Sequence, residues 1–264
     1  MDKIASYNSK TEKGLRCELC PHYCILAEGE SGKCKTRINR GGDLYAIGYG
    51  RPCSTNVDPI EKKPFYHFLP GSKAFSMATA GCNFTCLNCQ NSSISQVSPL
   101  DTDQHELMPA DVVALAIKNN CQSIAYTYTE PTVFCEYMLD TARLAREKGL
   151  KNVLISNGYI NEKPLRELCQ FVNAANIDLK CFSNETYRKL TGGSLKPVLN
   201  SLKILKEEGV WLEITNLIIP GWTEDTDSIK QMCEWLVASG MKDNPLHFSR
   251  FFPTYKLGET APTP

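Results

Sequence analysis

The chain has 264 residues, enough to bury a sizeable core and to form one large domain with a small attachment. Lysine plus arginine balances aspartate plus glutamate at 29 each, so no global charge draws it to nucleic acid or to an acidic membrane surface. Met1 to Lys10 lacks the apolar core of a signal peptide, and no run approaches the roughly 18 apolar residues of a membrane span.

Thirteen cysteines without a secretory signal argue for metal binding in a reducing compartment rather than for a disulfide framework. Residues 1–16 read as a polar lead-in. Cys17-Glu-Leu-Cys20-Pro-His-Tyr-Cys24 follows, and with Gly29, Gly32 and Cys34 it makes a C-x2-C-x3-C-x9-C arrangement. So short a segment cannot build its own core, and four thiolates among turn-forming glycines are what a metal-stapled module needs. Four sulfurs suit either zinc or an iron–sulfur cluster. His22 reads as a solvated turn residue before it reads as a ligand. Residues 1–40 are therefore expected to form a cysteine-rich metal-binding module.

Residues 41–72 read as a linker segment. Gly41-Gly42-Asp43 suggests a turn before a short strand at Leu44-Tyr45-Ala46-Ile47, and Pro59, Pro64 and Pro70 argue against a long regular element. Asp58, Glu61, Lys62 and Lys63 read first as a solvated charge run.

Residues 73–264 alternate strand and helix patterns. The first strand, Ala74 to Thr79, leads into Gly81-Cys82-Asn83-Phe84-Thr85-Cys86-Leu87-Asn88-Cys89. Pro109 suits the first turn of a helix running to Asn119. Strands are expected at 123–127, 152–156, 175–179, 211–219 and 246–251, with helices at 132–148, 163–172, 184–190, 197–208 and 224–239. Val198, Leu202 and Leu205, like Ile229, Met232, Cys233 and Leu236, fall on single helix faces fit to cover a sheet. Periodicity alone allows a partial barrel or a doubly wound sheet. Cys53, Cys121, Cys135, Cys169, Cys181 and Cys233 lie scattered along the chain and read as packing residues.

The loop after the first strand carries the chemistry. Three thiolates spaced C-x3-C-x2-C can hold a soft metal centre, whereas a structural zinc site and a conventional iron–sulfur carrier each want four ligands. A local set of three leaves one position open. Ligands in parallel α/β architectures gather at the C-terminal ends of the strands. Those ends carry Thr127, Thr129 and Glu130; Ser156 and Asn157; Asp178 and Lys180; Thr215 and Asn216.

The cysteine loop resembles the radical S-adenosylmethionine (SAM) superfamily. Its flanking residues, including Asp58-Pro-Ile-Glu-Lys-Lys-Pro-Phe-Tyr-His-Phe-Leu-Pro-Gly-Ser72 and Cys89-Gln-Asn91, resemble the AmmeMemoRadiSam-system radical SAM proteins, related to pyruvate formate-lyase activating enzymes. The resemblance implies a partial (β/α)6 barrel and a [4Fe-4S] cluster on Cys82, Cys86 and Cys89. The open iron would take the amino and carboxylate groups of SAM, and an electron from the cluster would cleave SAM to methionine and a 5'-deoxyadenosyl radical. The residue before the third cysteine, usually aromatic and beside the adenine in this superfamily, is Asn88 here. By similarity Glu130 stands where a Gly-Gly-Glu motif holds the methionyl amino group, though the glycines are absent. Asn157 lies in a matching Asn-Gly turn, and Asp178-Leu179-Lys180 matches an Asp-Leu-Lys of glycyl-radical activases. Ile219-Pro220-Gly221-Trp222 matches a stretch that supports the adenine. Thr215 replaces an arginine that some activases direct at SAM, and Asn216 follows it.

These residues lead to the expectation of a radical SAM enzyme that abstracts hydrogen from an unidentified substrate. Reduced flavodoxin or ferredoxin is the electron donor that the resemblance implies, in an anaerobic cytoplasm. A glycyl-radical enzyme activase is one alternative. Modification of a protein, a peptide or a small molecule, with Memo-like and AMMECR-like proteins as partners, is another. A non-catalytic zinc-stabilised binding scaffold is the rival from a different class. His247 and Arg250 are further residues that could face a substrate, against a core histidine and a surface arginine.

Overall fold

The computed structural model describes residues 2–264. The N-terminal region folds into short strands: β1 (Lys3–Ile4), β2 (Asn8–Thr11), β3 (Gly14–Cys17), β4 (Ile25–Leu26), β5 (Arg37–Arg40) and β6 (Asp43–Ala46). They form two three-stranded antiparallel sheets, ordered β1-β6-β5 and β2-β3-β4. The expected polar lead-in therefore carries three strands. Each has at most four residues, too few for an alternation to stand out in the sequence. Gly14 adopts φ +128°, and an added Cβ there would meet Leu26 O at 2.1 Å, so this approach of β3 to β4 requires glycine.

The expected linker is also structured. β7 (Ser54–Pro59) pairs antiparallel with β8 (Lys73–Ala78) along its whole length. Pro59 ends this edge strand, where no ladder donor is needed. Between the two strands, Ile60 and Phe65, both 0% exposed, pack against Ala74, Ala125, Val153 and Ala174 inside the sheet's concave face. The segment is a plug for the barrel rather than a tether.

Beyond β8 come α1 (Ser92–Ser95), α2 (Pro109–Lys118), β9 (Ser123–Tyr126), α3 (Cys135–Glu147), β10 (Lys151–Ser156), α4 (Glu162–Cys169), β11 (Ala174–Asp178), α5 (Asn184–Thr191), α6 (Leu195–Glu207), β12 (Trp211–Ile218), α7 (Thr226–Ala238) and β13 (Leu246–Arg250). Seven strands make one sheet in the order β7-β8-β9-β10-β11-β12-β13. The pairs from β8 to β13 are all parallel. This sequential order has no reversal, so it selects the partial barrel over the doubly wound sheet. Helices cover the outer face, where Val198, Leu202 and Leu205 of α6 are fully buried, as the apolar stripe requires. Among the described residues no helix is long and apolar enough to cross a membrane.

Candidate functional site

The cysteine loop leaves the C-terminal end of β8 and is held from several sides. Gly81 has φ +98°, and a Cβ there would lie 2.4 Å from Thr36 Cγ2 and 2.5 Å from Cys34 O. Thr85 N and Leu87 N donate to Thr191 O and Leu190 O at 2.8 and 2.9 Å, tying the loop to the end of α5. Phe84, 1% exposed, packs against Tyr159 with ring centroids 4.9 Å apart. Cys89 Sγ lies 3.1 Å from Ser95 Oγ.

The Cys82 and Cys86 thiols share one electrostatic environment. Burial pushes Cys82 well up, and the nearby charges of Glu130 and Cys86 add to this. Burial likewise pushes Cys86 up to about 11, with Lys180 pulling in the opposite direction. Negative charges that raise one another's pKa in this way need a cation, and soft cationic iron or zinc relieves that cost.

The strand ends surround this loop. Asn157 Nδ2 donates to Asn83 Oδ1 at 2.8 Å and stands 3.9 Å from Cys82 Sγ. Glu130 is 1% exposed and accepts from Thr132 N at 3.0 Å, Ser156 Oγ at 2.7 Å and Asn157 N at 2.8 Å. Burial raises its pKa despite those hydrogen bonds. Its carboxylate thus braces the turn after β10. Lys180 Nζ lies 3.0 Å from Asp178 Oδ2. Burial works against the lysine's charge, but Asp178 and Cys86 outweigh it and leave the pKa raised. Asn88 is 8% exposed and its Oδ1 is buried without a partner. Asn216 Nδ2 supports Leu179 O at 2.7 Å, with Oδ1 likewise unpartnered. Thr215 Oγ1 donates to Asn176 Oδ1 at 2.9 Å inside the barrel.

Other sequence candidates sit elsewhere. His247 Nε2 contacts the fully buried Glu213 carboxylate at 2.7 Å and its ring stacks on His67, so it is a satisfied core histidine. Arg250 bonds to Thr263 O. Lys63 is 2% exposed and pairs with Asp58 at 2.8 Å, correcting the solvated charge run. His22 is half-buried, with Nε2 donating to Asn83 O at 2.7 Å. The sequence reading missed Asn83, whose only signal was an amide between two cysteines, and Glu213, a lone carboxylate in an apolar strand.

A family model described as the radical SAM superfamily matches residues 77–236, more than half of the chain. The chain belongs to the radical SAM superfamily. Members are enzymes that use a [4Fe-4S] cluster and SAM. This radical SAM protein is 46% identical over its whole length to an uncharacterized protein of Methanocaldococcus jannaschii, covering 78% of that chain. It is 25% identical to the pyruvate formate-lyase 1-activating enzyme of Escherichia coli K12 over 59% of this chain and 65% of that one. It is also 23% identical to the 4-hydroxyphenylacetate decarboxylase activating enzyme of Clostridium scatologenes, over 67% and 56%. Among solved structures, TYW1 with a lysine–pyruvate adduct bound matches with TM-score 0.53 and 17% identity, over 76% of this chain and 77% of that one. SuiB of Streptococcus suis bound to SAM matches with TM-score 0.53 and 13% identity, over 68% and 40%. These structural likenesses concern the fold.

The residues present fit the superfamily's cluster. Three soft donors lie in one anchored loop, and Asn88 leaves a buried acceptor unused beside the third.

Proposed function

We propose that this radical SAM enzyme is of the activating-enzyme type and abstracts hydrogen from a protein or peptide substrate. Cys82, Cys86 and Cys89 are its [4Fe-4S] ligands, and Asn88, Glu130, Asn157, Asp178, Lys180 and Asn216 form the SAM-facing wall. When bound, the cluster supplies the electron that cleaves SAM. The chain's own work is positional. Lys180, beside Cys86, provides a cation for the SAM carboxylate, and Asp178 provides an anion for the ammonium group. Glu130 and Asn157 hold the cysteine loop against the turn after β10.

The observation that carries this reading is the Asp178–Lys180 pair beside Cys86 at the C-terminal end of the sheet. The similarity to two activating enzymes supports a macromolecular substrate. We assign the chain to the AmmeMemoRadiSam subtype on the segment from Asp58 to Ser72, with Memo-like and AMMECR-like proteins as partners and reduced flavodoxin or ferredoxin as electron donor. The test is 5'-deoxyadenosine formation by anaerobically reconstituted protein with SAM and dithionite, comparing wild type with Cys86→Ala. Product that depends on Cys86 supports the reading. An intact [4Fe-4S] cluster with no product, even with the partner proteins added, counts against it. A glycyl radical on a partner enzyme, seen by electron paramagnetic resonance, would narrow it to an activase.

A further inference from the structure

Four of the ten cysteines outside that site lie within one short N-terminal stretch. Cys17 ends β3, Cys20 and Cys24 lie in the turn leading to β4, and Cys34 precedes β5. All four nonetheless line one small enclosed cavity, together with Arg37 and Asn83. A methyl group added at Gly32 would touch Cys34 Sγ at 3.6 Å and Cys24 Sγ at 3.8 Å, so these two sulfurs flank the same face of the glycine.

Arg37 supplies a second, independent observation. It is 1% exposed, and its Nη2 bonds to both oxygens of Glu136 at 2.7 and 2.6 Å. Its Nε–H is buried without an acceptor, and the residue lines the cavity. Such a group calls for an explanation. Thr36 Oγ1 lies 3.2 Å from Cys34 Sγ and 3.1 Å from Val133 O. Zinc with four thiolates draws sulfurs tightly around one point, at about 2.3 Å from the metal. A cubane spreads its thiolates over a larger volume and adds bridging sulfides that accept hydrogen bonds. The spare donor matches the second arrangement.

We propose that Cys17, Cys20, Cys24 and Cys34 ligate a second [4Fe-4S] cluster, with Arg37 Nε–H as a donor to its sulfur. Four thiolates leave no iron open, so this centre binds no SAM and is suited to electron transfer. It lies directly behind the first loop: Cys34 O and Thr36 Cγ2 press on Gly81, and His22 Nε2 bonds to Asn83 O at 2.7 Å.

The experiment removes the first set and is therefore independent of the function proposed above. The Cys82→Ala/Cys86→Ala/Cys89→Ala chain is reconstituted anaerobically with iron and sulfide. It is assayed for iron, sulfide and zinc, and by electron paramagnetic resonance after dithionite reduction. The expected result is about four irons and four sulfides per chain, with a signal that SAM leaves unchanged. Adding Cys20→Ser and Cys34→Ser should abolish both iron and signal. Zinc in place of iron overturns the cluster, and a chain empty of both metals overturns the site. Wild type provides the control against misfolding of the variant: about eight irons support the proposal, and about four, all responding to SAM, overturn it.

Discussion

Asn157 Nδ2 donates to Asn83 Oδ1 across 2.8 Å, joining the turn after β10 to the cysteine loop after β8. Glu130, from the end of β9, holds the backbone N–H of Asn157 at 2.8 Å. Three strand ends thus form one hydrogen-bonded unit around Cys82. Asn157→Ala leaves the Asn83 amide oxygen buried without a donor, a loss of about 1–3 kcal/mol. Iron release from the reconstituted protein to a chelator should speed up several-fold while the circular dichroism spectrum is retained. Release at the wild-type rate would show that the amide pair does not hold the loop.

Lys180 is the cation that acts on Cys86. Lys180→Met should weaken SAM binding about 10- to 100-fold, since a hydrogen bond to a charged group contributes about 1.5–3 kcal/mol. Cluster absorbance should persist. In the cluster-free protein, Cys86 is pushed up to about 11 against the pull of Lys180. Removing that positive charge disfavours the thiolate, so alkylation of Cys86 should shift to still higher pH. Unchanged SAM affinity together with an unchanged alkylation profile would remove Lys180 from the site.

The Asp58–Lys63 pair, with Tyr128 Oη donating to Asp58 at 2.5 Å, sits under the barrel wall. Asp58→Asn leaves the Lys63 ammonium covered and unpaired, which costs about 3–5 kcal/mol. Burial alone would raise the Asp58 pKa, but the hydrogen bonds from Lys63 and Tyr128 bring it from 3.8 to about 2. The unfolded chain therefore takes up this proton first as the pH falls. The pair's contribution is present above pH 3.8 and is lost as the pH drops towards about 2. Urea unfolding across that range should show a steeper decline in wild type than in Asp58→Asn, and parallel curves would count against the pairing.

Glu213 anchors the barrel plug. Its carboxylate accepts from Tyr66 N, His67 N and Trp211 Nε1, each at 3.1 Å, and meets His247 Nε2 at 2.7 Å. Glu213→Ala should lower stability by at least about 3 kcal/mol and expose residues 64–70 to proteolysis. A variant that resists protease as wild type does would mean that Ile60 and Phe65 hold the plug without it.

The three-cysteine loop, the six strand and helix units and the apolar faces of α6 and α7 were legible in the sequence because each is a local pattern. Spacing within a loop and periodicity within a helix need no distant partner to be read. The resemblance to radical SAM proteins rests on such patterns, and the family match agrees with it. The tertiary structure decided what depends on chain segments far apart. The sequential strand order separates a partial barrel from a doubly wound sheet that has the same periodicity. Lys63 looked solvated because burial of a charge depends on Asp58 and Tyr128, which reach it only in the fold. Glu130 was legible as a carboxylate at a strand end, but its engagement by Ser156 and Asn157 was not. Local sequence sets which groups can ligate, cap or pack. Which of them meet is decided by long-range contacts, whose partners leave no mark at either position alone.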